Sequence, residues 1–174
     1  RRFAPDRAYR VTFNGGVGGP AVGPGIGGTR TGGYYNVCVP MFSDGAGNFG
    51  YFPRTTITTR LTTGSRVIGS FTEDTCPQVY GRLLAQKTRY RLSVSADRGS
   101  DVKVSDRVDA VWTFVSGDAG DSTAVAFPLS VVRFHPKLSL TGTAKAGARL
   151  TVPLSLQGPA AAKGHLKSLT VSVS

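Results

Sequence analysis

Two neighbouring stretches with alternating apolar residues constrain the fold of this chain more than any other part of its sequence. In residues 88–97 every second side chain is apolar, which places the apolar set on one face of a strand. This set is Tyr90, Leu92, Val94 and Ala96. In residues 107–116 one face carries Val108, Ala110, Trp112 and Phe114. Because Val111 and Val115 make the other face apolar too, we expect this strand to lie deeper, with Trp112 at the centre of a sandwich.

The composition favours strands over helices throughout the chain. The 174 residues include 23 Gly and 10 Pro with many Thr, Ser and Val, and these residue types disfavour helices. We therefore expect an all-β protein, with an antiparallel β-sandwich of jelly-roll or immunoglobulin-like type followed by a partial second immunoglobulin-like β module. The chain is long enough to bury a core.

A β-hairpin and a bent strand flank the two alternating stretches. Residues 55–61 and 66–72 adjoin the turn dipeptide at 63–64, and we expect them to pair. The side chains expected to face inward are Ile57, Leu61, Val67 and Phe71. In residues 125–134 the inward set shifts from Phe127, Leu129 and Val131 to Val132 and Phe134. Such a shift predicts a bulge or bend at which the chain passes from one sheet to another.

A glycine-rich segment divides the N-terminal part of the chain. Residues 8–13 alternate and predict a first strand, whereas residues 14–33 are so rich in Gly and Pro that we expect a long mobile loop. Residues 34–42 predict a strand near a sheet edge, because Pro40 has no N–H to donate. The predicted domains are residues 1–33 for the N-terminal strand and Gly-rich loop, 34–124 for the β-sandwich, and 125–174 for the partial second module.

The net charge of +11 raises the question of an anionic partner. Residues 1–87 carry 10 basic and 4 acidic side chains, and residues 88–174 carry 11 and 6. Charge spread in this way is typical of a soluble surface, so we do not expect a nucleic-acid partner. No apolar run approaches the length of a membrane-spanning helix, so no membrane span is expected. Because the sequence starts at Arg1, we expect any signal peptide to lie outside it.

The two cysteines, Cys38 and Cys76, indicate either one disulfide bond or two buried free thiols. They form no CxxC pair and have no His at ligand spacing, so a zinc site is not expected. We favour the disulfide, because a Gly- and Thr-rich all-β chain is typical of an extracellular module. In the chain-entropy model, closing a loop of this length stabilises the fold by about 4 kcal/mol.

No group of residues in the sequence predicts a catalytic, cofactor-binding or metal-binding site. The two histidines, His135 and His165, lie in no motif, and no Gly-x-Ser-x-Gly sequence or interacting pair of acids occurs. The turn at 43–50 offers Asp44 and Asn48 as ligands for calcium. A turn with Asx hydrogen bonds is favoured there, because one carboxylate is too few for a tight site.

Aromatic residues in or beside loops suggest a binding surface instead. They are Tyr34, Tyr35, Phe49, Tyr51, Phe52 and Tyr80. Exposed rings on a β-sandwich can stack on the faces of sugars. The sequence alone favours the other interpretation, in which the rings cap the ends of the sandwich.

Several segments of the chain together resemble a region of a known protein family. They are KTRYRLSVSADRGSDVKVSDRVDAVWTFVSG, FPLSVVRFHPKLSLTGTAKAGARLTVPLSLQ, LKSLTVSVS, VPMFSDGAGNFG and TTRLTTGSRVIGS. These segments resemble the non-catalytic C-terminal region of secreted subtilisin-like serine peptidases of actinobacteria. The resemblance covers about residues 35–174.

The resemblance implies a secreted, extracellular accessory β-sandwich that is not itself an enzyme. A subtilisin-like peptidase domain would lie N-terminal to Arg1, and no catalytic residue can be carried over to this sequence. The implied partners are the linked peptidase domain or a protein substrate. The alternative is a carbohydrate- or cell-surface-binding module, whose partner is a polysaccharide or a cell surface. The paired cysteines depart from the pattern of the family.

Overall fold

The alternating and β-branched sequences form ten strands within the part of the chain that the structure describes. This structure is a computed structural model and describes residues 4–9, 18–50, 54–73, 79–100, 102, 105–118, 120, 123–139 and 141–172. The strands are β1 (Gly27–Thr31), β2 (Tyr34–Cys38), β3 (Thr56–Thr63), β4 (Arg66–Glu73), β5 (Val79–Arg82), β6 (Thr88–Asp97), β7 (Arg107–Ser116), β8 (Val125–Ala126), β9 (Val131–Phe134) and β10 (Leu154–Gln157). A 3₁₀ turn spans Pro159–Ala161. Within these ranges no helix is long and apolar enough to cross a membrane.

Two four-stranded antiparallel sheets enclose one core, which confirms the expected all-β sandwich. The front sheet has the order β4-β3-β6-β7, and the back sheet has the order β5-β2-β1-β8. Strands β9 and β10 form a separate two-stranded ribbon. The largest buried apolar side chains come from both sheets and include Tyr35, Val37, Met41, Leu61, Tyr90, Leu92 and Phe114.

Strand β6 lies deeper than β7, which reverses the sequence-based prediction. The four predicted inward side chains of β6 are all buried, because β6 has a neighbour on each side. Strand β7 is an edge strand, and its Val111 and Val115 are exposed on the outer face. Trp112 faces the core as predicted but is only half-buried, and its indole Nε1 donates to the carbonyl of Ser130 at 2.8 Å.

The predicted hairpin forms as β3 and β4, but only one of its arms has the expected inward set. Ile57 and Leu61 are buried, as predicted. The register shifts after Leu61, where an extra residue in β4 makes a β-bulge, so Val67 is turned to the outer face. Phe71 keeps the inner face but lies on the sheet edge and is 36% exposed. The inward prediction is therefore wrong for Val67, whereas Phe71 faces inward as predicted but stays partly exposed at the edge.

The glycine-rich segment is not the long loop that its composition predicts. Residues 27–31 form β1, which lies between β2 and β8 and is hydrogen-bonded to both. Gly28 is required there, since a Cβ atom would lie 2.5 Å from the ring of Phe127. The entropic cost of ordering these glycines is offset, because β1 is hydrogen-bonded to a strand on each side and the Phe127 ring packs where Gly28 has no side chain. The predicted first strand falls mostly outside the described residues.

The predicted bend in residues 125–134 is present and joins the sandwich to the ribbon. Strand β8 pairs with β1 in the back sheet, whereas β9 pairs with β10 in the ribbon. Phe127, Leu129 and Val131 are buried in the core of the sandwich. These residues therefore pack with the first unit although they follow the predicted boundary at 125. The immunoglobulin-like nature of the second module stays a prediction.

Candidate functional site

The residues considered for catalysis are dispersed in the structure. His165 is exposed in a turn, whereas His135 Nε2 lies 2.7 Å from the Ser155 hydroxyl on the exposed ribbon. A Ser-His pair needs a third group to orient the histidine, and residues 122–174 contain no Asp or Glu. No group of three or more His, Cys, Asp or Glu residues with metal-binding geometry occurs among the described residues. The absence of catalytic, cofactor and metal sites stays a prediction.

The turn at residues 43–50 is an Asx turn in the structure. Oδ1 of Asp44 accepts hydrogen bonds from the backbone N–H groups of Ala46 and Asn48, at 3.0 and 2.8 Å. Oδ2 accepts from the side-chain amide of Asn48 at 2.9 Å. Both carboxylate oxygens are therefore engaged within the turn, which favours the Asx interpretation over a calcium site.

A buried arginine connects this turn to the ribbon. Arg133 is 6% exposed, and its Nη1 donates to the hydroxyl of Ser43 and, at 3.1 Å, to the carbonyl of Asp44. Nε and Nη2 donate to Oε1 of Gln157 at 3.3 and 2.9 Å. Burial lowers the pKa of the Arg133 guanidinium, and the nearby charge of Asp44 opposes this shift. The side chain thus ties a sandwich loop to both ribbon strands.

Further contacts surround Arg133 and complete what we call the Arg133 junction. The junction comprises Ser43, Asp44, Trp112, Ser130, Arg133, Gln157 and Gly158. The hydroxyl of Ser130 accepts from the N–H of Ala160 at 3.0 Å, beside the Trp112 contact to the Ser130 carbonyl. Gly158 lies so close that a Cβ atom there would overlap the carbonyl oxygen of Leu129. These contacts hold the ribbon against one end of the sandwich.

Sequence reasoning missed Arg133 because charged side chains are rarely buried. It placed Val132 and Phe134 inward, but Arg133 follows Leu129 and Val131 on the buried face. The available signal was the period of two, which continues through the arginine. The hydrogen-bond acceptors that make its burial favourable come from segments far away in sequence.

The six aromatic residues considered for sugar binding separate into different environments. Tyr35 is buried, Tyr34 and Tyr80 are exposed by 56% and 60%, and Phe49 is exposed in a loop. Tyr51 and Phe52 lie outside the described residues. The capping interpretation therefore fails for Tyr34 and Tyr80, which project from the outer face of the back sheet.

Tyr34 and Tyr80 belong to one surface, which we call the Tyr34 face: Tyr34, Asn36, Tyr80 and Arg82. Strand pairing places Tyr34 opposite Arg82 and Asn36 opposite Tyr80, so the two tyrosines are diagonal neighbours. The Arg82 guanidinium carbon lies 4.9 Å from the centroid of the Tyr34 ring, and Nη2 donates to the Tyr34 hydroxyl at 2.6 Å. This hydrogen bond raises the pKa of Arg82. The contact holds the Tyr34 ring in place before any ligand binds.

Tyr35 has a structural role. Its ring packs against Gly81 of the neighbouring strand β5 and reaches Gly69 of β4, and a Cβ atom at either glycine would collide with it. The hydroxyl is buried without a hydrogen-bond partner among the described residues, and burial raises its pKa. Tyr35 is therefore a core residue of the sandwich.

The predicted disulfide between Cys38 and Cys76 stays a prediction. Cys38 is half-buried in β2, and no free cysteine occurs among the described residues. Cys76 lies outside the described residues.

We expect non-reducing mass spectrometry to find one cross-linked peptide that contains Cys38 and Cys76. Reduction should lower the free energy of unfolding by about 4 kcal/mol, because the unfolded chain regains the entropy of an open loop. A Cys38→Ser, Cys76→Ser variant should unfold like the reduced protein. Full labelling of both thiols in the folded, non-reduced protein would contradict the prediction.

Comparison with known proteins yielded no match: no family model, no curated protein and no solved structure resembles the chain closely enough to be assigned.

Proposed function

We propose that the chain is a non-catalytic accessory β-sandwich region of a secreted subtilisin-like serine peptidase, where it supports or targets the protease domain. The observation that carries the proposal is the convergence of the resembling segments on the Arg133 junction. Residues 39–50 contribute Ser43 and Asp44, 107–116 contribute Trp112, 127–134 contribute Ser130 and Arg133, and 149–157 contribute Gln157.

This convergence supports the resemblance for a physical reason. The resembling segments that meet here are far apart in sequence, so their contacts depend on the fold and not on closeness along the chain. Residues 39–50, 127–134 and 149–157 meet at one buried arginine, which is hydrogen-bonded to acceptors in two of them, and Trp112 adds a hydrogen bond to the adjacent Ser130 carbonyl. A hydrogen-bonded connection between the sandwich and the ribbon suits an accessory region, because it fixes the ribbon on the sandwich.

The proposal is tested by reading the coding region on both sides of this segment. We expect an upstream reading frame with a signal peptide and the Asp, His and Ser motifs of a subtilisin-like domain. An upstream stop codon followed only by a signal peptide would overturn the peptidase link and leave a stand-alone module.

A second candidate function, binding of a carbohydrate or cell surface, is favoured by the Tyr34 face. Two exposed tyrosines on an outer sheet surface retain apolar area in water, which is a common mark of a binding site. Aromatic rings pack against the C–H faces of sugars, and Asn36 and Arg82 offer hydrogen bonds to sugar hydroxyls. This role is compatible with targeting a linked peptidase.

We expect the Tyr34→Ala, Tyr80→Ala variant to lose retention on an insoluble neutral polysaccharide such as cellulose or chitin. The affinity should fall about tenfold or more, because two stacking contacts are removed, each worth about 1 kcal/mol. The matched control is Phe49→Ala, which removes an exposed ring outside the Tyr34 face. This function would be contradicted if the wild type and both variants were retained equally, or if the wild type were not retained at all.

A further inference from the structure

The outer face of the front sheet is covered with hydroxyl groups. The residues that project from it include Thr56, Thr58, Thr62, Ser70, Thr72, Ser93, Ser95 and Thr113. Thr58 and Thr72 are bonded across β3 and β4, with their hydroxyl oxygens 3.1 Å apart. The face carries no aromatic ring among the described residues. Exposed Val67, Val111 and Val115 lie on its two edge strands, and the rest of the face offers many hydrogen bonds.

Charge on this face is separated along the strands. Arg60, Arg89 and Arg91 lie toward the hairpin end, whereas Asp97 and Asp109 lie toward the opposite end. Arg91 pairs with Thr62 and Arg60 pairs with Ser93, so the two arginines are diagonal neighbours. Diagonal positions on adjacent strands are about 7–8 Å apart, and Arg89 continues the row two residues further along β6. Comparing the two halves of the sequence could not reveal this separation.

Among the residues that the structure describes, no neighbouring acidic side chain neutralises the three arginines at the basic end. The acidic end has its own cation, because Nε of Arg107 lies 2.9 Å from Oδ2 of Asp109. Arg107 also lowers the pKa of Asp109. Within the described residues, the side chains of Arg60, Arg89 and Arg91 make no ion pair.

A shallow groove of about 570 Å³ opens beside these arginines. Its lining includes Thr62, Thr63, Lys87, Arg89, Arg91 and Thr113. The groove therefore combines cations with hydroxyl groups and includes no carboxylate. Because the groove lies at the end of the arginine row and is also lined by Lys87, the basic surface extends beyond strand β6.

We propose that this arginine face, formed by Arg60, Arg89 and Arg91 with the adjoining groove, binds an anionic polysaccharide. A row of guanidinium groups without an ion pair among the described residues matches repeated carboxylate or sulfate groups on a polymer, since each fork donates two hydrogen bonds to one acidic group. The surrounding hydroxyls match the uncharged hydroxyls of the sugars. A single-stranded nucleic acid would also need exposed rings on which bases stack; the described outer face has none, and Tyr90 in the groove lining is fully buried. The inference goes beyond both functions proposed above and requires neither.

The test measures binding of the whole chain to polygalacturonate, which carries carboxylates, to heparin, which carries sulfates, and to uncharged dextran. We expect binding to at least one of the two anionic polymers, no binding to dextran, and an affinity that falls as salt rises. The variant Arg60→Glu, Arg91→Glu should bind at least tenfold more weakly. The control Lys163→Glu, Lys167→Glu makes the same change in net charge at exposed positions outside the arginine face and should bind like the wild type. Thermal unfolding of both variants checks that they remain folded.

Three results would overturn the proposal. The first is equal weakening by the control variant, which would assign binding to net charge. The second is tighter binding to a single-stranded oligonucleotide than to either polysaccharide. The third is no binding to any polyanion. Retention on neutral polysaccharide and the identity of the upstream reading frame are measured separately, so the two functions proposed above stand or fall independently.

Discussion

Replacing Arg133 with Ala is expected to lower the free energy of unfolding by about 3 kcal/mol. The change leaves the Ser43 hydroxyl, the Asp44 carbonyl and the Gln157 amide oxygen without their buried donor. Each buried acceptor left unpaired costs about 1–3 kcal/mol, and water entering the vacated space recovers part of that. Urea denaturation of the wild type and the variant gives the difference.

Two further variants show whether the loss comes from the junction. Arg133→Lys keeps the charge but cannot donate to acceptors on both sides at once, so it should also be destabilised. Arg149→Ala removes an exposed arginine on the same unit and should change stability by less than about 0.5 kcal/mol. If Arg133→Ala unfolded at the same urea concentration as Arg149→Ala, the Arg133 junction would not hold the ribbon to the sandwich.

Replacing Gly158 with Ala is expected to cost about 3 kcal/mol or more, for two additive reasons. The backbone there has φ 88° and ψ −167°, a region essentially restricted to glycine. A Cβ atom would also overlap the carbonyl oxygen of Leu129, and a backbone atom cannot rotate away as a side chain does. Strands β9 and β10 must therefore separate or distort, and thermal unfolding should detect this as a lower Tm.

The matched control separates the two causes. Gly164 also has a positive φ, 80°, but a Cβ atom there would meet nothing within 4 Å. Gly164→Ala should therefore cost only the conformational part, about 1 kcal/mol. Equal effects of the two substitutions would mean that the close approach of Gly158 to Leu129 does not constrain the junction.

Local sequence patterns predicted the elements whose signal lies within a few residues of the chain. The period of two in residues 88–97 correctly assigned every inward side chain of β6. The hairpin of β3 and β4 and the bend in residues 125–134 were also predicted, because turn residues and breaks in alternation are local signals.

The candidate surfaces depended on distant residues and were predicted only in part. Tyr34 and Tyr80 were named from the sequence, but their common surface requires β2 and β5 to pair. The row of Arg60, Arg89 and Arg91 likewise requires the register of β3 on β6. Pairing of strands that are far apart in sequence has no local signal, so these surfaces appear only in the fold.

The sequence by itself determined that the chain is all-β and which face of its best alternating strand is buried, because side-chain alternation and residue preference act within a few residues. Tertiary structure alone decided that β7 is an edge strand, that Gly27–Thr31 is paired on both sides, and that Arg133 is buried. The physical reason is the same in each case. Segments remote in sequence supply the partners that make a strand central, order a glycine or allow a cation to be buried. Their contacts offset the free-energy cost of desolvation and of lost conformational entropy.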